Sequence, residues 1–251
     1  MKLKVIIITV LSIFLLAGCS NKQNSIHQDT KVEYEKRVKL IESNRKNWDE
    51  KIKKAKKLDQ SKFKNNFTTV PSRYNDEDMS LARLKSGNQF VIEGQVINLT
   101  PMFNVQLAPE TKATIYVKKV ISGDKSLQGE NIYTEFSGGL TKAKDLYTNF
   151  GITDPKQIVY DEKATFPMPK IGNYVVMGMN RYQPEDDKQQ SRYQHVGLTT
   201  KNFYPINNSE VTFWVKDNDK FRLNNPAFYH KGIKKDYPNI FKLTKELNKL
   251  L

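Results

Sequence analysis

The hydrophobic period of this chain changes from helical to strand-like near Gly87 and back to helical near Pro238, and those changes limit what it can fold into. From Lys31 to about Asp59 there is neither Pro nor Gly, and Tyr34, Val38, Ile41, Trp48, Ile52 and Ala55 recur at spacings of three, four and seven. Such spacing is one narrow apolar stripe on a long helix, here interrupted only by Arg45, with the remaining faces given to Lys, Glu and Asn. Pro71 breaks the pattern. Asn75-Asp76-Glu77-Asp78 then supplies capping side chains and acidic charge for a short helix through Leu81 and Leu84 that stops near Gly87. Beyond it the chain reads as strands. Gln89–Leu99 alternates, Ala113–Ile121 is β-branched with Ile115, Val117 and Ile121 on one face, and Asn131–Phe136 is a third run. Asn173–Met179 is apolar on both faces and therefore central. Arg192–Leu198 is a fifth run, and Val211–Leu223 reads as a hairpin around the polar turn Lys216–Lys220. Pro238 opens a terminal amphipathic helix with Ile240, Leu243, Leu247, Leu250 and Leu251 on one side. The expected fold class is α+β: a small antiparallel β-domain between a long N-terminal helix and a C-terminal helix.

Ahead of these elements, Met1-Lys2-Leu3-Lys4 is a short positive segment, and Val5 to Leu16 is apolar apart from Thr9 and Ser12. A bilayer-spanning helix takes about 20 apolar residues, so this run is too short for a permanent anchor and has the shape of a signal peptide. It ends in Leu16-Ala17-Gly18-Cys19, which resembles the lipobox of Gram-positive bacterial lipoproteins. That resemblance implies a diacylglyceryl thioether on Cys19, cleavage after Gly18, and a chain held as an exported protein on the outer face of the cytoplasmic membrane. Cys19 is also the single cysteine, so neither an internal disulfide nor a Cys-x-x-Cys site can form. The resulting plan is a signal peptide at 1–18, a lipidated polar tether at 19–30, a basic helix at 31–64, a β-domain at 65–232 and a C-terminal helix at 233–251.

The 41 Lys and Arg against 27 Asp and Glu give a net charge of +14. Half of that excess lies in residues 31–64, where 13 basic residues face 6 acidic ones. Lys51, Lys53, Lys54, Lys56 and Lys57 make this end of the helix a candidate membrane-facing surface, since each Lys beside an anionic surface contributes about 1 kcal/mol. Anionic lipid headgroups or teichoic acid are the expected contacts, alongside a protein partner in an envelope complex such as conjugation or surface exclusion.

The middle of the chain carries a second resemblance. Phe90-Val91-Ile92-Glu93-Gly94-Gln95-Val96, then Val117-Lys118-Lys119-Val120-Ile121-Ser122-Gly123-Asp124, then Gly138-Gly139, then Pro169-Lys170-Ile171-Gly172-Asn173-Tyr174-Val175 resembles an uncharacterised family of exported OB-like β-barrel proteins over residues 76 to 216. The resemblance implies an OB-like barrel and no particular chemistry. Barrels of this kind bind single-stranded nucleic acid through cationic grooves and aromatics, but export makes nucleic acid the less expected partner. The long connection Leu140–Met168 departs from the family pattern. Its Tyr147, Phe150, Tyr160 and Phe166 are expected to pack as a cover on the barrel and are also the candidate binding surface.

No catalytic motif stands out. His27, His195 and His230 are scattered, and the acidic runs Asp217-Asn218-Asp219 and Glu185-Asp186-Asp187 lack calcium-loop spacing. Ser122-Gly123-Asp124-Lys125 matches a Ser-x-x-Lys spacing, as does Ser43-Asn44-Arg45-Lys46, which is what chance gives among 34 lysines. No cofactor or metal is expected. The reading is a non-enzymatic binding or interaction module, with a cell-wall or glycan-directed hydrolase as the alternative. Glu93 and Glu135, both on strands, are the carboxylates to examine for that alternative. An aromatic groove without converging carboxylates would mark the binding module; a tight acid/base cluster would mark the hydrolase. Labelled palmitate should enter the protein in Gram-positive cells and be lost in Cys19→Ala; label retained by that variant would exclude the lipobox.

Overall fold

In the computed structural model, which describes residues 30–58, 75–103, 108–146, 151–163 and 166–251, the first helix α1 (Lys31–Lys54) starts in a capping box. The Thr30 hydroxyl accepts from Glu33 N at 3.2 Å while Thr30 N donates to Glu33 Oε2 at 2.9 Å, so two orphan donors of the first turn are satisfied reciprocally. Cys19, His27 and the signal segment lie outside the described residues. The helix ends at Lys54, short of Asp59: Ala55 is extended, and Lys56–Lys57 form a strand, β1, whose backbone is taken up in parallel pairing by β6 (Ile158–Asp161).

A six-stranded antiparallel sheet has the order β4-β3-β2-β7-β8-β9, from Asn131–Ser137, Glu110–Ser122, Phe90–Pro101, Tyr174–Met179, Phe213–Asp217 and Lys220–Leu223 respectively. A second, three-stranded sheet runs β1-β6-β5, with β5 at Gly139–Lys142. As expected from its apolar character, β7 is central, between β2 and β8. Val175 and Met177 point to one core and Val176 to the other, and all three are fully buried. α1 covers the first face through Ile41 and Trp48. The second face, with Val91, Val176 and Trp214, is covered by Ile240, Leu243 and Leu247 of the terminal helix (Pro238–Leu250). Each such side chain contributes about 1.5–3 kcal/mol on burial. The terminal helix has no cap from its own residues; Asp76 accepts from Asn239 N at 2.8 Å and Ile240 N at 3.0 Å, placing a carboxylate at its positive end. The hairpin β8–β9 turns through Asn218 and Asp219, both left-handed, as a two-residue turn between right-twisted strands requires.

Two expectations change and a third is met only in part. Arg192–Leu198 is not a strand: residues Asp187–His195 form a helix, α3. Asp186 caps it by accepting from Gln189 N at 2.6 Å, and with one buried side chain, Tyr193, it needs no pairing partner. The connection Leu140–Met168 is not only a loop, because positive φ at Gly138 and Gly139 turns β4 directly into β5, and Leu140 and Val159 are buried. The named strands, finally, make an open sheet with edges at β4 and β9 and no closed barrel. The extended segment after α3 spans the gap between edge strand β4 and the end of central strand β7: Tyr133 N donates to Asn202 O at 2.9 Å and Tyr204 N to Tyr133 O at 2.9 Å, while Asn180 N donates to Pro205 O at 3.2 Å.

Arg45, the interruption of the apolar stripe, has a structural use. Its Nε donates to Ile171 O at 2.9 Å, and the neighbouring Asn44 Nδ2 donates to Ile97 O at 2.8 Å, so the helix is fixed to the sheet by polar bonds as well as by Trp48. Gly172 makes the approach possible: it sits at φ +99°, and a Cβ there would lie 2.2 Å from Arg45 Nη2. Gly172→Ala should therefore destabilise by about 1–3 kcal/mol in urea unfolding. In an Arg45→Ala background the cost should shrink to backbone strain alone; an equal cost in both backgrounds would show that the arginine approach is immaterial.

Candidate functional site

Sheet register builds the site. Lys112 of β3 pairs with Glu135 of β4, and Glu110 pairs with Ser137. Alternation therefore sets Glu110 and Glu135 diagonally on one face, while Thr111 and Phe136 turn into the core. Ser137 Oγ donates to Glu110 Oε1 at 3.4 Å. From α3, the Tyr193 hydroxyl donates to Glu135 Oε2 at 3.0 Å and lies 3.3 Å from Oε1. Tyr193 is itself held by ring contacts with Tyr182 and Phe203 at 5.1 and 5.2 Å. The two carboxyls line a cavity of about 200 Å³ whose other wall is Phe166, Pro167, Met168, Pro205 and Phe213. Phe213 stacks on Phe136 at 5.5 Å, closing the floor against the core.

Burial, reinforced by the charge of Glu135, pushes Glu110 up to about 8, against the smaller opposing effects of Ser137 and Lys163; Asp161 adds a further upward push. Burial also raises Glu135, opposed by the Tyr193 hydrogen bond. At neutral pH Glu110 thus keeps its proton beside Glu135. Burial lowers Lys112, whose Nζ donates to Val196 O at 2.6 Å and lies over the Tyr133 ring, so this lysine is engaged with the backbone after α3.

Of the residues singled out from sequence, Glu135 and Phe166 meet at this cavity. Glu93 does not: it is buried on β2 and paired with Lys118 at 2.7 Å. Tyr160 is half-buried in β6 against the main core, and Tyr147 and Phe150 lie outside the described residues. Lys51, Lys53 and Lys54 are exposed on the last turns of α1, whereas Lys56 and Lys57, equally exposed, belong to strand β1 and not to a helix. His195 ends α3, His230 lies beyond the turn at 226–229, and both are exposed. Lys125 of the Ser-x-x-Lys match donates to Val120 O. Among the described residues, no group of three or more His, Cys, Asp or Glu could hold a metal ion, and no helix is long and apolar enough to cross a membrane.

Sequence reasoning missed Glu110 and Tyr193. The alternation of Ala113–Ile121 extends back through Thr111 to Glu110 and could have supplied the first; Tyr193 was hidden by reading α3 as a strand. No protein-family model, curated protein or solved structure matches this chain.

Glu110 titrates near 8 when folded against 4.5 for an ordinary glutamate. The unfolded chain releases this proton first, so the stability the group contributes is fully present below the ordinary value and is lost as pH rises toward 8, at up to about 1.4 kcal/mol per pH unit. Glu110→Gln should flatten the fall in urea midpoint across that window; an unchanged slope would show that Glu110 is not buried as a proton-bearing acid.

Proposed function

We propose that this protein is a lipid-anchored binding module of the cell envelope, held through an acylated Cys19 on the outer face of the cytoplasmic membrane, with an OB-like barrel as its body. The hydrogen bonds between residues 202–205 and both β4 and the segment after β7 support the barrel reading, because they join the edge strand β4 to the end of the central strand β7. The exposed Lys51, Lys53, Lys54, Lys56 and Lys57 suit contact with anionic lipid or teichoic acid.

The observation that carries the binding reading is the cavity in which Glu110 and Glu135 face a wall of Phe166, Met168 and Phe213. Two half-buried carboxyls, of which Glu110 keeps its proton at neutral pH, favour a ligand that brings its own positive charge, and the apolar wall suits an organic body attached to it. A primary ammonium group on an aliphatic or aromatic stem has both features, and it would replace the Glu110 proton on binding. Titration calorimetry with simple primary amines should show saturable binding that releases about one proton. Affinity should fall about tenfold for each pH unit below that of Glu110 titration and should be lost in Glu135→Gln. Binding that is independent of pH, or equal for the matched alcohols, would overturn this reading.

The converging carboxyls run against the mark expected of a binding module, an aromatic groove without them, and favour a second reading, a glycan hydrolase. Diagonal cross-strand neighbours have Cβ atoms up to about 7–8 Å apart, which is compatible with an acid and base acting across a glycosidic bond. Two features place it second. The cavity of about 200 Å³ lies below the roughly 300 Å³ of sites for drug-sized molecules, which leaves room for a small amine but not for the sugar rings on both sides of a glycosidic bond. Burial raises both carboxyls, whereas acid/base work needs environments that push the two apart. Cell-wall glycan cleavage that disappears in both Glu110→Gln and Glu135→Gln would reverse this ranking.

A further inference from the structure

A second cavity, of about 420 Å³, lies on the other side of the molecule's chemistry, between β9, the turn at 226–229 and the two C-terminal helices, Ile233–Asp236 and Pro238–Leu250. Its deep wall is apolar: Leu223, Phe228 and Ile240 are buried, and Ile233 and Phe241 are half-buried. Its rim is basic, formed by Arg222, His230 and Lys234, all exposed. Asp217 takes one side of Arg222 at 3.2 Å, in a pair where both side chains are more than half exposed and which solvent therefore screens. Among the described residues, no carboxylate lines the cavity itself. The Tyr229 hydroxyl donates to Leu223 O, which makes that ring a wall and not a polar partner for a ligand. Gly232, in a left-handed conformation at φ +94°, faces open space at the mouth.

An apolar cavity of this volume falls in the range of small-molecule sites, about 300–1,000 Å³. Each methylene buried there contributes about 0.8 kcal/mol, and a basic rim beside such a floor selects a negative head over a neutral or positive one. We propose that this cavity binds a single-chain anionic amphiphile of the fatty-acid type, with the chain against Leu223, Phe228, Ile240 and Phe241 and the carboxylate between Arg222 and Lys234. The site is independent of the Glu110–Glu135 cavity and of any modification at Cys19.

Trp214 supplies the readout, because its Nε1 donates to Thr244 Oγ1 at 2.9 Å and Thr244 lines the cavity. In the full-length chain carried in phosphatidylcholine nanodiscs, Trp48→Phe leaves Trp214 as the sole tryptophan. A medium-chain fatty acid brominated near its tail should quench that fluorescence saturably, after subtraction of quenching at unbound acid. Joint replacement Arg222→Ala and Lys234→Ala should weaken binding about five- to tenfold, and the matched bromo-alcohol should bind the parent chain weaker by a similar factor. Ile233→Glu, which adds a carboxylate to the wall, should abolish saturation. If Trp48→Phe impairs folding, calorimetry of the unsubstituted chain with the same acid, against the Arg222/Lys234 variant, reads the same difference. Equal quenching by acid, alcohol and amine, or affinity unchanged in the Arg222/Lys234 variant, would overturn the proposal.

Discussion

The structure depends on one constraint, the burial of the β2–β7 pair on both faces. Val91 and Val176 project one way and Ile92, Val175 and Met177 the other, all of them fully buried. An antiparallel sheet can leave one face to water, but this pair cannot, so each face requires a helix. The requirement explains why α1 and the terminal helix, though far apart in sequence, are both packed and not free appendages. It also explains their different polar fastenings. Arg45 bonds to the carbonyl of Ile171 in the turn before β7 and Asn44 to that of Ile97 within β2 on one side, and Asp76 caps the terminal helix on the other. Polar bonds of this kind contribute little to net stability but fix where each helix sits along the sheet.

The same packing turns the charge of the chain into a question of faces. With its apolar stripe committed to the sheet, α1 presents its lysines outward, so the basic excess is a solvated surface and not a buried feature. The buried or half-buried charges lie elsewhere. Glu93 is neutralised by Lys118, whereas Glu110 and Glu135 have been brought together without a cation between them and are held instead by hydroxyls. A stable fold would gain more from an apolar pair at such positions, which is why the carboxyls stand out as the candidate functional pair.

Much of the fold was legible from periodicity. The 3.6-residue stripe from Tyr34 to Ile52, the two-sided apolar run at 173–179, the hairpin around Asn218-Asp219 and the amphipathic end from Pro238 each carry a signal that one element needs for itself. Legibility failed where the deciding partner was distant. Lys56 and Lys57 continue a helical composition, yet β6, about a hundred residues later in the chain, draws them into a strand. Arg192–Leu198 reads as a strand run in the sequence, yet the Asp186 cap starts a helix at Asp187 that takes in Arg192 to His195. The cavity was half legible: Glu135 and Phe166 were visible as candidates, but their meeting depends on the β3–β4 register and on α3, neither of which local pattern specifies.

By itself, then, the sequence determined the α+β composition, the single cysteine with its lipobox resemblance, the concentration of positive charge after residue 30, and which strand had to be central. Those properties follow from local spacing and composition, which each segment carries alone. Tertiary structure decided that α1 is bound to the sheet, that the strands of the sheet stay open at β4 with residues 202–205 laid across the gap, and that Glu110 meets Glu135 under Tyr193. These are consequences of register and of two-sided burial, and both bring together residues that have no relation along the chain.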